Sequence, residues 1–203
     1  MLQLIEWVQD NYIEILGTIS GLLYLYFSIN QKIWLWPLGI TTSAFYVYIF
    51  YVSNLYADMG LNAYYVIISI YGWYYWIFGK KKRASQQLEI STLNRKGWAY
   101  TIISIILLWI IIAIILLKLP KIINIPPSDL PYWDAFTTSA SIIATYLLAR
   151  KIIEQWLLWI VIDAVSAGLY IYKGLYPTVI LFTVYTTLAA IGYCKWKKEL
   201  QII

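Results

Sequence analysis

Trp156-Leu-Leu-Trp-Ile-Val-Ile-Asp163 lies inside a long apolar run, and 120 residues earlier stands Trp36-Pro-Leu-Gly-Ile-Thr-Thr-Ser43. In one ungapped register at that offset, Thr18 meets Thr138, Tyr26 meets Tyr146, Trp36 meets Trp156 and Ile40 meets Ile160. Further on, Ala44 meets Ala164, Leu55-Tyr56 meets Leu175-Tyr176, Tyr65 meets Tyr185, Gly72 meets Gly192 and Trp76 meets Trp196. Apolar identities arise by chance in such a chain, but matched Trp, Gly and Tyr positions do not arise so easily. The chain therefore reads as two copies of one unit.

Composition says what kind of unit it is. The 203 residues are 62% hydrophobic and only 12% charged, with a mean hydropathy of +0.68, whereas a soluble domain carries roughly 25% charged residues. A membrane-spanning helix needs about 20 mainly apolar residues. Seven runs qualify: Ile13–Ile29, Ile33–Val52, Ala57–Phe78, Trp98–Leu117, Tyr132–Ala149, Gln155–Tyr172 and Leu175–Cys194. The expected fold is an all-α polytopic membrane protein with seven transmembrane helices. Runs 1–3 and 5–7 are the repeats. Three helices is an odd number, so a direct fusion would invert the second copy; run 4 restores its direction and makes the repeats parallel. Trp98–Leu117 carries no polar stripe, as befits a linker helix facing lipid on most sides. The expected organisation is residues 1–79 as the first bundle, 80–131 as loop, linker helix and outer loop, and 132–203 as the second bundle with its basic tail.

Of the fifteen basic residues, twelve share one side of this arrangement: Lys32, Lys80, Lys81, Lys82, Arg83, Arg95, Lys96, Arg150, Lys151, Lys195, Lys197 and Lys198. Lys118, Lys121 and Lys173 fall on the other. Basic short loops stay inside, so the expected topology is N-terminus outside and C-terminus cytoplasmic. The N-terminus lacks a basic n-region and a cleavage site, so the first span is expected to be permanent. The net charge of +5 is absorbed by this bias and by anionic lipid; no nucleic-acid partner is expected. The chain has no His and one Cys, Cys194. That removes histidine relays, most zinc and copper sites and serine–histidine catalysis. No enzyme activity, metal or cofactor is expected.

Asp163 is the costly residue. A carboxylate at mid-span costs about 2.5–3.5 kcal/mol on insertion scales, and Trp159, four residues earlier, shares its helix face. The stripe continues through Gln155, Ser166 and Tyr170. Run 3 carries Asp58, Asn62, Tyr65, Ser69, Gly72 and Trp76 at steps of three and four; run 5 offers Asp134, Thr138, Ser141 and Thr145; run 1 offers Glu14, Thr18 and Gly21. In run 2 the counterparts of Trp159 and Asp163 are Gly39 and Ser43. Polar faces on several helices must meet each other or line a wet cavity. The structural alternatives are that Asp163 pairs with hydroxyls of a neighbouring helix, that Asn62 joins two helices, and that Trp36 and Trp159 are packing or interfacial residues. The functional reading is a site for a neutral or cationic aromatic solute carrying hydroxyls. Indole and phenol faces attract a cationic ring, and Asp163 adds opposite charge. Ser43, Asn62 and tyrosine hydroxyls would hold a sugar. The candidate substrate-binding residues are Trp159, Asp163, Asn62, Trp36, Tyr65, Ser43, Tyr185 and Thr138. Gly39, Gly72, Gly192 and Pro37 are candidate pivots.

Several stretches carry a family likeness. Trp36-Pro-Leu-Gly-Ile40, Leu55-Tyr-Ala-Asp-Met59, Tyr71-Gly-Trp73, Trp133-Asp-Ala135, Leu147-Leu-Ala-Arg-Lys151, Trp159-Ile-Val-Ile-Asp163 and Ile171-Tyr-Lys-Gly-Leu-Tyr176 together resemble the PnuC family of vitamin transporters. The resemblance implies a three-plus-one-plus-three fold similar to that of the SWEET sugar transporters, in opposite membrane orientation. It makes Trp159 and Asp163 the match to the family's Trp-x-x-x-Asp/Asn motif. The first repeat departs from it, with Ile40 four residues after Trp36. The function it implies is import of nicotinamide riboside by facilitated diffusion. Access would alternate at a midplane site between the bundles, and phosphorylation by a cytosolic kinase would trap the product. Thiamine, another B vitamin, or a proton-coupled cycle through Asp163 are the alternatives. The implied location is a bacterial inner membrane; a homo-oligomer is left open.

Overall fold

Seven α-helices occupy the places of the seven apolar runs in the computed structural model, which describes residues 2–52, 56–79, 88–124 and 126–202. They are α1 Leu2–Ile29, α2 Leu35–Val52, α3 Tyr56–Phe78, α4 Arg95–Ile123, α5 Pro131–Ala149, α6 Gln155–Tyr172 and α7 Tyr176–Ile202. Leu55 and the basic run Lys80–Arg83 lie outside the described residues, as do the side chains of Glu14 and Asp58. Among the described residues four helices, α2, α4, α6 and α7, are each long and apolar enough to cross a membrane. α5 matches them in length at 19 residues, but it carries Ser139, Ser141 and Thr145, which it buries.

Three helices outrun their apolar cores. α1 begins at Leu2 rather than Ile13. α4 runs three residues before Trp98 and six past Leu117, through Pro120. A proline so near a C-terminus forfeits one hydrogen bond and does not end the helix at once. The stop comes at Asn124, which adopts a left-handed conformation (φ 52°) and donates its N–H to the Pro120 carbonyl; Asn tolerates that region better than most residues. At the other end of α4, the Asn94 side chain accepts from the Gly97 N–H at 2.7 Å, an N-cap. α7 continues past Cys194 because its basic tail is one-sided: Trp196 is fully buried while Lys197 and Lys198 are exposed.

The chain divides into two compact units, residues 1–74 and 75–203. In the first, α1 packs on α2, and Gly39 of α2 lies close to Tyr24 of α1 and Ser69 of α3. In the second, α4 packs on α5, α5 on α6 and α6 on α7. α4 meets α5 through Ile105, which packs on the buried Ala140–Ala144 cluster. Most of its remaining surface, including Ile103, Ile106, Ile110 and Ile114, is exposed apolar area, the condition of a helix facing lipid.

The repeat is also a repeat of backbone and packing. The turn after α1 closes with Lys32 N–H donating to Phe27 O (2.8 Å) and Gln31 N–H to Ser28 O (3.1 Å). The turn after α5 closes with Ile152 N–H to Leu147 O (2.9 Å) and Lys151 N–H to Leu148 O (2.8 Å). These are the same left-handed C-cap shifted by 120 residues. Neither has the glycine such caps favour: Gln31 and Lys151 sit at φ 52° and 57°. Trp36 and Trp156 open the next helices, 0% and 1% exposed. Each indole lies over a glycine, Trp36 over Gly72 and Trp156 over Gly192. A Cβ on Gly192 would fall 2.7 Å from the Trp156 ring. Both glycines are thus seats for an indole. Pro37 stands third in α2, where its missing N–H is not needed.

Candidate functional site

In the second unit the site is built on one face of α6. Asp163 is 6% exposed and has no hydrogen bond or ion pair among the described residues. Hydroxyls of α5 that could satisfy it bond to their own helix backbone instead. Thr145 donates to the Ser141 carbonyl (2.8 Å), for example, and Ser139 to that of Phe136 (2.9 Å). Leaving a buried carboxylate unpaired is costly in a low-dielectric surrounding.

Trp159 is half-buried and packs on a cluster of Ala140, Ala144 and Ile162. The small residues of α5 leave room for its ring. Further along the face come Ser166, which is buried, and Tyr170, which meets Phe182 of α7 at 5.0 Å between ring centroids. Phe182 in turn meets Tyr185 edge-on at 5.7 Å. Tyr185 is thereby joined to the α6 stripe through Phe182, a ring outside the polar stripes. Thr138 is half-buried on α5; among the described residues no hydrogen bond joins it to Asp163. At the start of the stripe, Gln155 is fully buried with both amide atoms unpartnered among the described residues, as is the Trp156 indole nitrogen.

In the first unit the candidates fall into two groups. Ser43 is buried on α2, and Asn62 and Tyr65 are half-buried on α3, with Tyr65 tilted against Tyr64 at 5.7 Å. Trp36 differs: wholly enclosed over Gly72, it serves α2–α3 packing in this conformation. The unit also contains a ring with no entry in the polar stripes. Tyr24 of α1 lies against Gly39 of α2 and within electrostatic reach of Tyr64 and Tyr65. Its signal in the sequence was its repeat position, where the second copy has Ala144.

A second polar cluster surrounds the turn between α5 and α6. Residues 88–94, which lead into α4, are fastened there. Ser91 N–H donates to Lys151 O and Ile153 N–H to Ser91 O, both at 3.0 Å, a lone parallel bridge between Ser91 and Ile152. Leu93 N–H donates to Glu154 Oε1 at 3.0 Å. Lys151, 3% exposed, donates to the Leu88 carbonyl and lies 5.0 Å above the Trp76 ring. Burial pushes its ammonium down to about 8, while Glu199 works in the opposite direction. These contacts tie α4 to the second unit and belong to architecture; Asp163 is not part of them.

Comparison with known proteins agrees with this fold. A family model described as nicotinamide mononucleotide transporter matches residues 11–198. The nicotinamide riboside transporter PnuC of Escherichia coli is 28% identical over 207 residues, covering 92% of this chain and 85% of its own. The riboflavin/roseoflavin transporter RibM of Streptomyces davaonensis is 24% identical over 183 residues, covering 90% and 83%. A crystal structure of the vitamin B3 transporter PnuC superposes with a TM-score of 0.67 at 22% identity, over 97% of this chain and 86% of that one. The repeated helices, the lipid-facing linker and a match over nearly the whole length lead to one assignment: this chain belongs to the nicotinamide mononucleotide transporter family, the PnuC membrane transporters.

Proposed function

We propose that the protein imports nicotinamide riboside, the solute named for its Escherichia coli relative. The observation that carries this is Asp163, buried and unpaired beside Trp159 in a membrane helix. The pyridinium of nicotinamide riboside supplies the missing positive charge, and its flat ring suits an indole face. Asn62, Ser43 and the Tyr65 and Tyr185 hydroxyls are assigned to the ribose and carboxamide, with Thr138 at the margin. A neutral isoalloxazine, the cargo in the name of the Streptomyces relative, makes no use of a buried carboxylate. Thiamine, with its cationic ring, does, and is the second reading.

Transport is downhill in this proposal, with alternating access and trapping by a cytosolic kinase. In this proposal the protein lies in a bacterial inner membrane with its N-terminus outside and its C-terminus cytoplasmic, a reading supported by its basic short loops. The purified protein, titrated in parallel with nicotinamide riboside, thiamine and riboflavin, is expected to bind the first most tightly. Tightest binding of riboflavin would sink the proposal. In liposomes without a pH gradient, saturable counterflow of labelled nicotinamide riboside is expected. Accumulation that requires a gradient would replace the facilitator with proton coupling through Asp163.

A further inference from the structure

The missing half of the Trp-x-x-x-Asp pattern in the first repeat has a counterpart from another helix. At the position of Trp159 in α6 the first repeat has Gly39 in α2, and at the position of Ala144 in α5 it has Tyr24 in α1. Large and small have changed places. In the second unit the α6 indole packs on the small cluster of α5 that includes Ala144. In the first, the Tyr24 ring comes across from α1 onto Gly39, so close that a Cβ there would fall 3.1 Å from it. One aromatic ring thus stands at the same level of the first helix pair in both repeats. Volume-conserving exchanges of this kind preserve packing density.

Exposure separates these two rings from the enclosed indoles of the repeat. Trp36 and Trp156 are enclosed, whereas Tyr24 and Trp159 are both only half-buried. Each also stands near polar candidates: Trp159 one turn from Asp163 on α6, and Tyr24 at Gly39, where the Ser69 hydroxyl of α3 comes equally close. We propose that Tyr24 is the substrate-contacting ring of the first repeat, the counterpart of Trp159 delivered from α1 instead of α2. It presents a ring face to an aromatic solute and a hydroxyl to the solute's polar substituents. The proposal rests on the functional reading above and adds a residue, and a helix, to it.

The test is binding of nicotinamide riboside to purified variants, with thermal stability measured alongside. Tyr24→Leu is expected to weaken binding at least tenfold with the melting temperature little changed, and Tyr24→Phe to lose less. The double variant Tyr24→Ala/Gly39→Phe returns a ring to α2 and is expected to recover part of the affinity lost by Tyr24→Ala. Wild-type affinity in a folded Tyr24→Leu, with affinity lost in Trp159→Ala, would refute the role of Tyr24 and leave the functional reading standing. Absence of binding by the wild type would refute both. Should Tyr24→Leu fail to fold, 3-fluorotyrosine labelling decides: the resonance absent from Tyr24→Phe must move when nicotinamide riboside is added, and an unmoved resonance overturns the assignment.

Discussion

Asp163 and the two glycine seats set the energetics at the scale of single residues. Asp163→Asn removes a buried carboxylate that nothing within the described protein neutralises, so the fold should keep or gain stability. Binding of a cationic solute should weaken by about 10- to 100-fold, roughly 1.4–2.8 kcal/mol. Calorimetric titration checks this, and an unchanged affinity would make Asp163 structural. Gly72→Ala and Gly192→Ala press a methyl group into the Trp36 and Trp156 rings. Overpacking of that kind costs typically 1–3 kcal/mol, so both variants should melt earlier than wild type, and Gly168→Ala, where a Cβ meets nothing within 4 Å, should not. Trp159→Ala should lower affinity more than Trp98→Ala, which changes only the linker helix; equal effects would count against a substrate contact at Trp159.

At the scale of elements, the junction between residues 88–94 and the α5–α6 turn has its own chemistry. Lys151 titrates near 8 in the fold because burial disfavours its charge, against about 10.4 in an unfolded chain. Between those values the folded state holds fewer protons than the unfolded one, so stability should rise with pH through that window. The full gain is of order 3 kcal/mol. Melting temperatures taken across pH 8 to 10 should climb in the wild type and flatten in Lys151→Met. Glu154→Ala removes the acceptor for Leu93 N–H, and amide exchange in the segment entering α4 should accelerate while the centre of α6 stays protected. The first repeat has Gln31 and Trp34 at the positions of Lys151 and Glu154, so neither charged side chain of this fastening has a counterpart there.

For the whole molecule, the repeat is the organising fact. Its two units carry the same helix-capping turn and the same indole-over-glycine contact, yet they differ at the positions proposed for substrate contact: Asp163 and Trp159 in one, Ser43, Gly39 and Tyr24 in the other. A carrier built this way need not treat its halves equally, and charge-removing substitutions should act asymmetrically. Asp163→Ser, which copies Ser43 into the second repeat, should depress counterflow of nicotinamide riboside about as far as Asp163→Asn does. Ser43→Asp should not restore it in that background; full restoration would show the two positions to be interchangeable.

Seven helices, their order and the 120-residue repeat were legible in the sequence. A lipid-spanning segment must satisfy its backbone internally and cover itself with apolar side chains, and both demands are written locally along the chain. Asp163 and Trp159 were legible for the same reason, since a carboxylate in such a run stands out wherever it sits. The helix ends were less so: α1, α4 and α7 continue beyond their apolar runs because capping and one-sided burial, not hydropathy, decide where a helix stops. Three things depended on tertiary structure altogether: that Trp36 and Trp156 are enclosed over glycines, that Lys151 and Glu154 hold the entry to α4, and that Tyr24 stands where the first repeat lacks a tryptophan. Each is a contact between residues distant in sequence. An exchange of a large ring on one helix for a small residue on its neighbour leaves composition and periodicity almost unchanged, and only the packed helices show which side chain fills the space.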